Sequence, residues 1–102
     1  MFNWLKDKMN SRINSEMMGC IRQNLRFVDF VNNQDRLNSS LDFYIEEIKE
    51  ISLKMKAKTD SGENLTPDDN AELLDANKNC RRIWANEFGG SAFKFDKEFS
   101  TQ

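Results

Sequence analysis

The sequence predicts an all-α protein: an antiparallel helical hairpin or a three- to four-helix bundle with a short C-terminal tail. The 102 residues include four glycines and one proline, which leaves few of the turn points that short strands require. Apolar residues recur at the three- and four-residue spacing of amphipathic helices. With 38% apolar and 31% charged residues, the composition is typical of one small soluble domain. We expect one helical domain over residues 1–88, then a Gly-Gly break and an aromatic tail over residues 89–102.

The first helical region extends from the N-terminus to about Asn32. One apolar stripe consists of Phe2, Leu5, Met9 and Ile13, and a second consists of Met17, Ile21, Leu25, Val28 and Val31. No proline separates the two stripes. A single helix and two helices with a break near Asn14–Ser15 therefore both fit the pattern.

The next helical segment follows a polar turn from Asn32 to Ser40. Ser39 or Ser40 can cap it, because both are residue types favoured at the N-cap. Its predicted inner face is Leu41, Tyr44, Ile45, Ile48, Ile51 and Met55. Lysines in its last turns suit the negative end of a helix dipole.

The stretch KTDSGENLTPDDNAELLD holds six carboxylates between Asp60 and Asp75, and we interpret it as the start of the last helix. Thr66 is the predicted N-cap and Pro67 the first helical residue. The following acidic residues complement the positive end of the helix dipole. The inner face is then Leu73, Ala76, Cys80, Ile83, Trp84 and Phe88. Gly89–Gly90 ends this helix, and the tail shows a strand-like alternation at Phe93 and Phe95.

Charge and composition argue against several classes of function. A net charge of −2 makes nucleic acid an unlikely partner, since domains that bind it carry dense basic surfaces. We expect no membrane partner, because no segment is long and apolar enough to span a bilayer. The chain has no histidine, so Cys20 and Cys80 cannot complete a zinc site. We predict packed free thiols in a reducing cytoplasm, and no metal or cofactor.

Two carboxylate pairs offer an enzymatic alternative. Glu47-x-x-Glu50 and, 21 residues later, Glu72-x-x-Asp75 resemble the paired-carboxylate pattern of the all-α nucleoside-triphosphate pyrophosphatases, the MazG-like family. The resemblance implies that these four residues, on two facing helices, hold Mg²⁺ against the phosphates of a nucleotide. On helical wheels the four positions lie away from the apolar stripes, whereas a Mg²⁺ site needs converging carboxylates. We therefore favour solvated helix faces over an active site.

Several large aromatic residues lie off every apolar stripe: Trp4, Phe30, Phe43, Phe93, Phe95 and Phe99. Aromatic residues left outside a core are enriched in protein interfaces. We therefore expect a non-enzymatic protein that binds another protein (an adaptor, chaperone, inhibitor or immunity-type factor) or a second copy of itself as a homodimer. The predicted anchors are Trp4, Phe30, Phe43, Phe93 and Phe95. As an alternative, the acidic segment 60–75 binds the basic surface of a nucleic-acid-binding protein.

Overall fold

The computed structural model describes the backbone of residues 3–34 and 40–100, and the side chains of residues 16–34 and 40–100. Within these residues it contains four helices and no strand: α1 (Asn3–Asn32), α2 (Leu41–Asp60), α3 (Pro67–Phe88) and α4 (Ala92–Phe99). The predicted all-α bundle is confirmed. None of the described helices is both long enough and apolar enough to cross a bilayer.

The first region is one helix rather than two. Helix α1 continues through Asn14–Ser15 and has 30 residues, which corresponds to about 45 Å at 1.5 Å per residue. Helices α1, α2 and α3 pack against one another, and α4 packs on α1 and α3. At one level of the bundle Ile21 packs with Met55 and Leu73, and at another Phe27 packs with Ile45 and Ile83. Helix α2 is therefore antiparallel to both α1 and α3.

Ser40, one of the two predicted caps of helix α2, does not cap the helix through its side chain. Ser40 occupies the N-cap position in a helical conformation, and its side chain makes no capping hydrogen bond; Ser39 lies outside the described residues. The buried face of α2 consists of Ile45, Ile48, Ser52 and Met55. Tyr44, predicted on this face, is instead exposed, because its position turns it toward the edge of the α2–α3 contact.

Helix α3 begins as the sequence predicts. The Thr66 hydroxyl accepts a hydrogen bond from the Asp69 amide, and the Asp69 carboxylate accepts one from the Thr66 amide, each at 3.0 Å. Lys58, at the end of α2, donates to both oxygens of Asp69 at 2.9 and 3.0 Å. The ammonium of Lys58, followed by the Thr66 amide, lowers the pKa of Asp69. The acidic stretch therefore caps α3 and ties it to the end of α2.

The Gly-Gly break is a tight turn whose two glycines have different roles. Gly89 adopts a left-handed conformation with φ of 64°, which glycine accepts without steric cost. Gly90 lies against the indole of Trp84, where a β-carbon would overlap the ring. The indole N–H donates to the carbonyl of Ser91 at 3.1 Å. The turn is thus shaped around Trp84.

The segment after this turn is a helix, so the predicted strand-like alternation is wrong. The Ser91 hydroxyl accepts a hydrogen bond from the Lys94 amide at 3.2 Å and caps α4. Helical spacing places Phe95 and Phe99 on one face, and both are buried. Phe93 lies on the opposite side of α4 and is exposed. The buried residues of this segment therefore have the four-residue spacing of a helix rather than the two-residue spacing of a strand.

Candidate functional site

The extra aromatic residues mostly enter the core. We call Phe27, Phe30, Trp84, Phe88, Phe95 and Phe99 the aromatic cluster. Phe95 is 0% exposed, and its ring centroid lies 5.6 Å from that of Phe27 and 5.0 Å from that of Phe99. Phe30 is half-buried and lies 5.5 Å from Phe99. The premise that Phe30, Phe95 and Phe99 have no place in the core is therefore corrected, because α4 supplies that place.

Two of the predicted anchors do project into solvent. Phe43 is 71% exposed and Phe93 is 78% exposed. They belong to different helices, α2 and α4, whose backbones make no close contact within the described residues. Trp4 lies outside the residues whose side chains are described.

Phe43 stands beside an open groove between α2 and α3, which we call the α2–α3 groove. Its volume is about 260 Å³, and it is lined by Leu41, Tyr44, Asn79, Arg82, Ile83, Asn86 and Glu87. The rings of Phe43 and Tyr44 meet edge to face, with centroids 5.7 Å apart. Leu41, Tyr44 and Ile83 supply the apolar part of the lining, and the four remaining residues supply the polar part. The arrangement is a concave surface flanked by two exposed rings.

The four carboxylates of the pyrophosphatase pattern do not converge. Glu47 and Asp75 share a shallow polar hollow with Lys78 and Arg82. Glu72 instead binds Lys54 at 3.1 Å. Among residues 16–34 and 40–100, no group of three or more acidic or cysteine side chains is placed to hold a metal ion.

A layer of hydrogen-bonded polar side chains runs from the bundle interior to its surface. It consists of Gln23, Asn24, Ser52, Asn77, Arg81 and Asp96, and we call it the polar layer. Asn77 donates to Asn24 at 2.7 Å and to Gln23 at 2.9 Å. Asn24 in turn donates to Ser52 at 3.2 Å. Since Asn24 and Ser52 are both 0% exposed, each would carry a desolvation penalty without these partners.

The same layer fastens α4 to the bundle. Arg81 donates to the Asp96 carboxylate at 2.7 Å, and Gln23 donates to the same oxygen at 2.9 Å. The guanidinium of Arg81, assisted by Gln23, lowers the pKa of Asp96. Arg81 also lies 4.7 Å above the ring of Phe95, a cation–π distance. One arginine therefore contacts both the charged and the aromatic side of α4.

Both thiols are free, and their surroundings disfavour the thiolate. Burial raises the pKa of Cys20 to about 11 and that of Cys80 to about 12. The Cys80 thiol donates to the Asn24 side-chain oxygen at 3.7 Å. Nucleophilic cysteines have lowered pKa values, so this arrangement is that of packed structural thiols.

Comparison with known proteins adds no relative to these observations. No protein-family model, curated protein or solved structure matches the chain.

Proposed function

We propose that this protein binds another protein, and that its main contact surface is the α2–α3 groove together with Phe43 and Tyr44. The observation that carries the proposal is an open groove of mixed lining that includes the exposed ring of Tyr44, with the exposed ring of Phe43 packed against Tyr44. Adaptor, chaperone, inhibitor and immunity-type factors all act through such surfaces. The proposed role is non-enzymatic, and the free thiols Cys20 and Cys80 are in keeping with a reducing compartment such as the cytoplasm.

The groove has the composition of an anchoring site. An apolar side chain of a partner can enter between Leu41, Tyr44 and Ile83, and the face of Phe43 can cover it from the side. Aromatic residues supply large contact area with few rotatable bonds, and they dominate measured hot spots. The polar margin, which includes Arg82 and Glu87, can form the hydrated rim of the contact.

Phe93 gives a second exposed ring, on α4. It is available to the same partner or to a second copy of the chain. In this proposal Phe43 and Phe93 remain partner anchors, whereas Phe30 and Phe95 support the fold.

The alternative in which the acidic segment 60–75 binds a basic surface is weakened, because several of its carboxylates form ion pairs within the molecule. Between residues 60 and 75, Asp60 binds Lys56, Asp69 binds Lys58, and Glu72 binds Lys54. Three of the six carboxylates are therefore partly neutralised by lysines of α2. This lowers the potential with which the segment can attract a basic partner.

Selection of a displayed peptide library on the immobilised protein tests the proposal. Loss of one aromatic anchor costs about 2 kcal/mol, or roughly thirtyfold in affinity, so Phe43→Ala should weaken the selected ligands by about that factor. Leu53→Ala is the matched control, because Leu53 is also exposed on α2 but does not line the groove. Ligands that lose affinity equally in both variants, or in neither, would contradict the proposal. Circular dichroism must show unchanged helix content in both variants.

A further inference from the structure

Helix α4 is bound to the rest of the molecule as a short helical peptide is bound in a groove. It has eight residues, too few for stability as an isolated helix in water. Its contacts are with α1 and α3, and the surface that receives it is the groove between those two helices. Phe95 and Phe99, four residues apart, enter the aromatic cluster, and Asp96 enters the polar layer. Anchors at this spacing are typical of helix-in-groove recognition.

The connection between α3 and α4 is suited to opening. It consists of Gly89, Gly90 and Ser91, and the two glycines gain more backbone freedom on opening than any other residue type would. The closed turn, in contrast, is restricted, because Gly90 lies directly against the Trp84 indole. Among the described side chains, the hydrogen bonds between α4 and the other helices are made by Gln23 of α1 and Arg81 of α3, which a second copy also presents.

We propose that α4 binds the α1–α3 groove of a second copy of this chain, so that two molecules exchange α4 and form a dimer. The occupant is defined by the structure, since the exchanged helix makes the same contacts with Phe27, Arg81 and Gln23 as it makes in the closed monomer. Exchange of an identical element is a low-cost route to dimers. This inference uses residues of α1, α3 and α4, whereas the proposed function uses the α2–α3 groove, so either can fail without the other.

The short linker between α3 and α4 favours the closed monomer over the dimer. A short flexible linker holds a segment at an effective concentration of roughly millimolar order. The native chain should therefore exchange α4 at concentrations approaching that range. Any substitution that weakens the binding of α4 to its own molecule and leaves the α1–α3 groove intact should lower the concentration at which the dimer forms.

A charge exchange across the Arg81–Asp96 pair tests the inference directly. In Arg81→Asp the groove repels its own α4, which carries Asp96, and in Asp96→Arg the helix is repelled by its own Arg81. Each variant alone should be monomeric, with α4 bound less tightly to its own α1–α3 groove. In an equimolar mixture, each α4 finds an opposite charge only on the other molecule. Light scattering after gel filtration should then show a species of twice the 12.0 kDa chain mass. A mixture that stays monomeric, with both variants folded by circular dichroism, would overturn the inference.

Gly90→Ala provides a second test that needs no change of charge. The added β-carbon overlaps Trp84 in the closed turn but not in an extended linker, so the dimer dissociation constant should fall at least tenfold. Gly19→Ala is the matched control, because a β-carbon there meets no atom within 4 Å, and its dissociation constant should equal that of the native chain. Equal dissociation constants for Gly90→Ala and Gly19→Ala would contradict the inference. Since Gly90→Ala leaves every residue of both grooves unchanged, the result is separate from that of Phe43→Ala.

Discussion

Replacing Phe95 with alanine should be among the most destabilising single changes in the chain. The ring is 0% exposed, and truncation of a buried phenylalanine costs about 3–5 kcal/mol in unfolding free energy. It also contacts the rings of Phe27, Trp84 and Phe99 at 5.6, 6.4 and 5.0 Å and lies below Arg81. We expect a loss of about 4 kcal/mol. Since domains of this size unfold with about 5–15 kcal/mol, that is a large share of the total stability.

Phe93→Ala is the control for this prediction, because it removes the same side chain two positions away on the same helix. Phe93 is 78% exposed, and substitutions at such sites change stability by about 0.5 kcal/mol or less. Urea unfolding followed by circular dichroism gives both free energies. A thermal scan should show Phe95→Ala melting at least about 15 °C lower, at 4–8 °C per kcal/mol. If the unfolding free energies of the two variants differ by less than about 1 kcal/mol, Phe95 is not buried in the aromatic cluster and α4 does not dock on α1 and α3.

Three further measurements test the interior and the start of α3. Asn77→Leu should lower the unfolding free energy measured in urea by about 2–4 kcal/mol, because the side-chain oxygens of Asn24 and Gln23 lose the Asn77 amide donor and each unsatisfied buried group costs about 1–3 kcal/mol. The pKa of Asp69 is lowered in the folded state by Lys58, so its stabilisation is present above its unfolded pKa and is lost as the pH falls through the folded value. In urea unfolding at both pH values, Asp69→Asn should therefore reduce the difference in unfolding free energy between pH 7 and pH 3. An unchanged difference would contradict the Lys58–Asp69 ion pair. At pH 8 a disulfide reagent should modify Cys80 more than about a hundredfold more slowly in the folded than in the urea-unfolded chain, because a thiol pKa of about 12 leaves little thiolate; equal rates would refute its burial.

Helix α3 could be predicted from sequence because its signals are local. Thr66, Pro67 and Asp69 specify the first turn, and Gly89 ends the helix, without help from distant residues. Helix α4 was missed for a local reason as well. The alternation of Phe93 and Phe95 suggested a strand, whereas Ser91 as a cap and the Phe95–Phe99 spacing already indicated a helix.

The aromatic and polar parts of the interior depend on tertiary contacts. Phe30 lies off the apolar stripe of α1 and is nevertheless half-buried. Helix α1 packs against three helices, so its buried arc is wider than a stripe calculated for one neighbour. The polar layer had a recognisable signal that went unused. Asn24, Ser52 and Asn77 each interrupt an apolar stripe of their helix, and the antiparallel arrangement of α2 predicts that they meet at one level.

The spacing of the contacts along the chain has a consequence for folding. The Lys58–Asp69 contact joins residues 11 positions apart, whereas the Gln23–Ser100 contact joins residues 77 apart. The longer closure costs roughly 1.7 kcal/mol more in chain entropy, so we expect the α2–α3 hairpin to form before α4 docks. Until α4 docks, Phe27 lacks the rings of Phe95 and Phe99 that cover it in the folded molecule. A chain with α4 undocked therefore exposes aromatic surface, and such surface makes folding intermediates prone to aggregation.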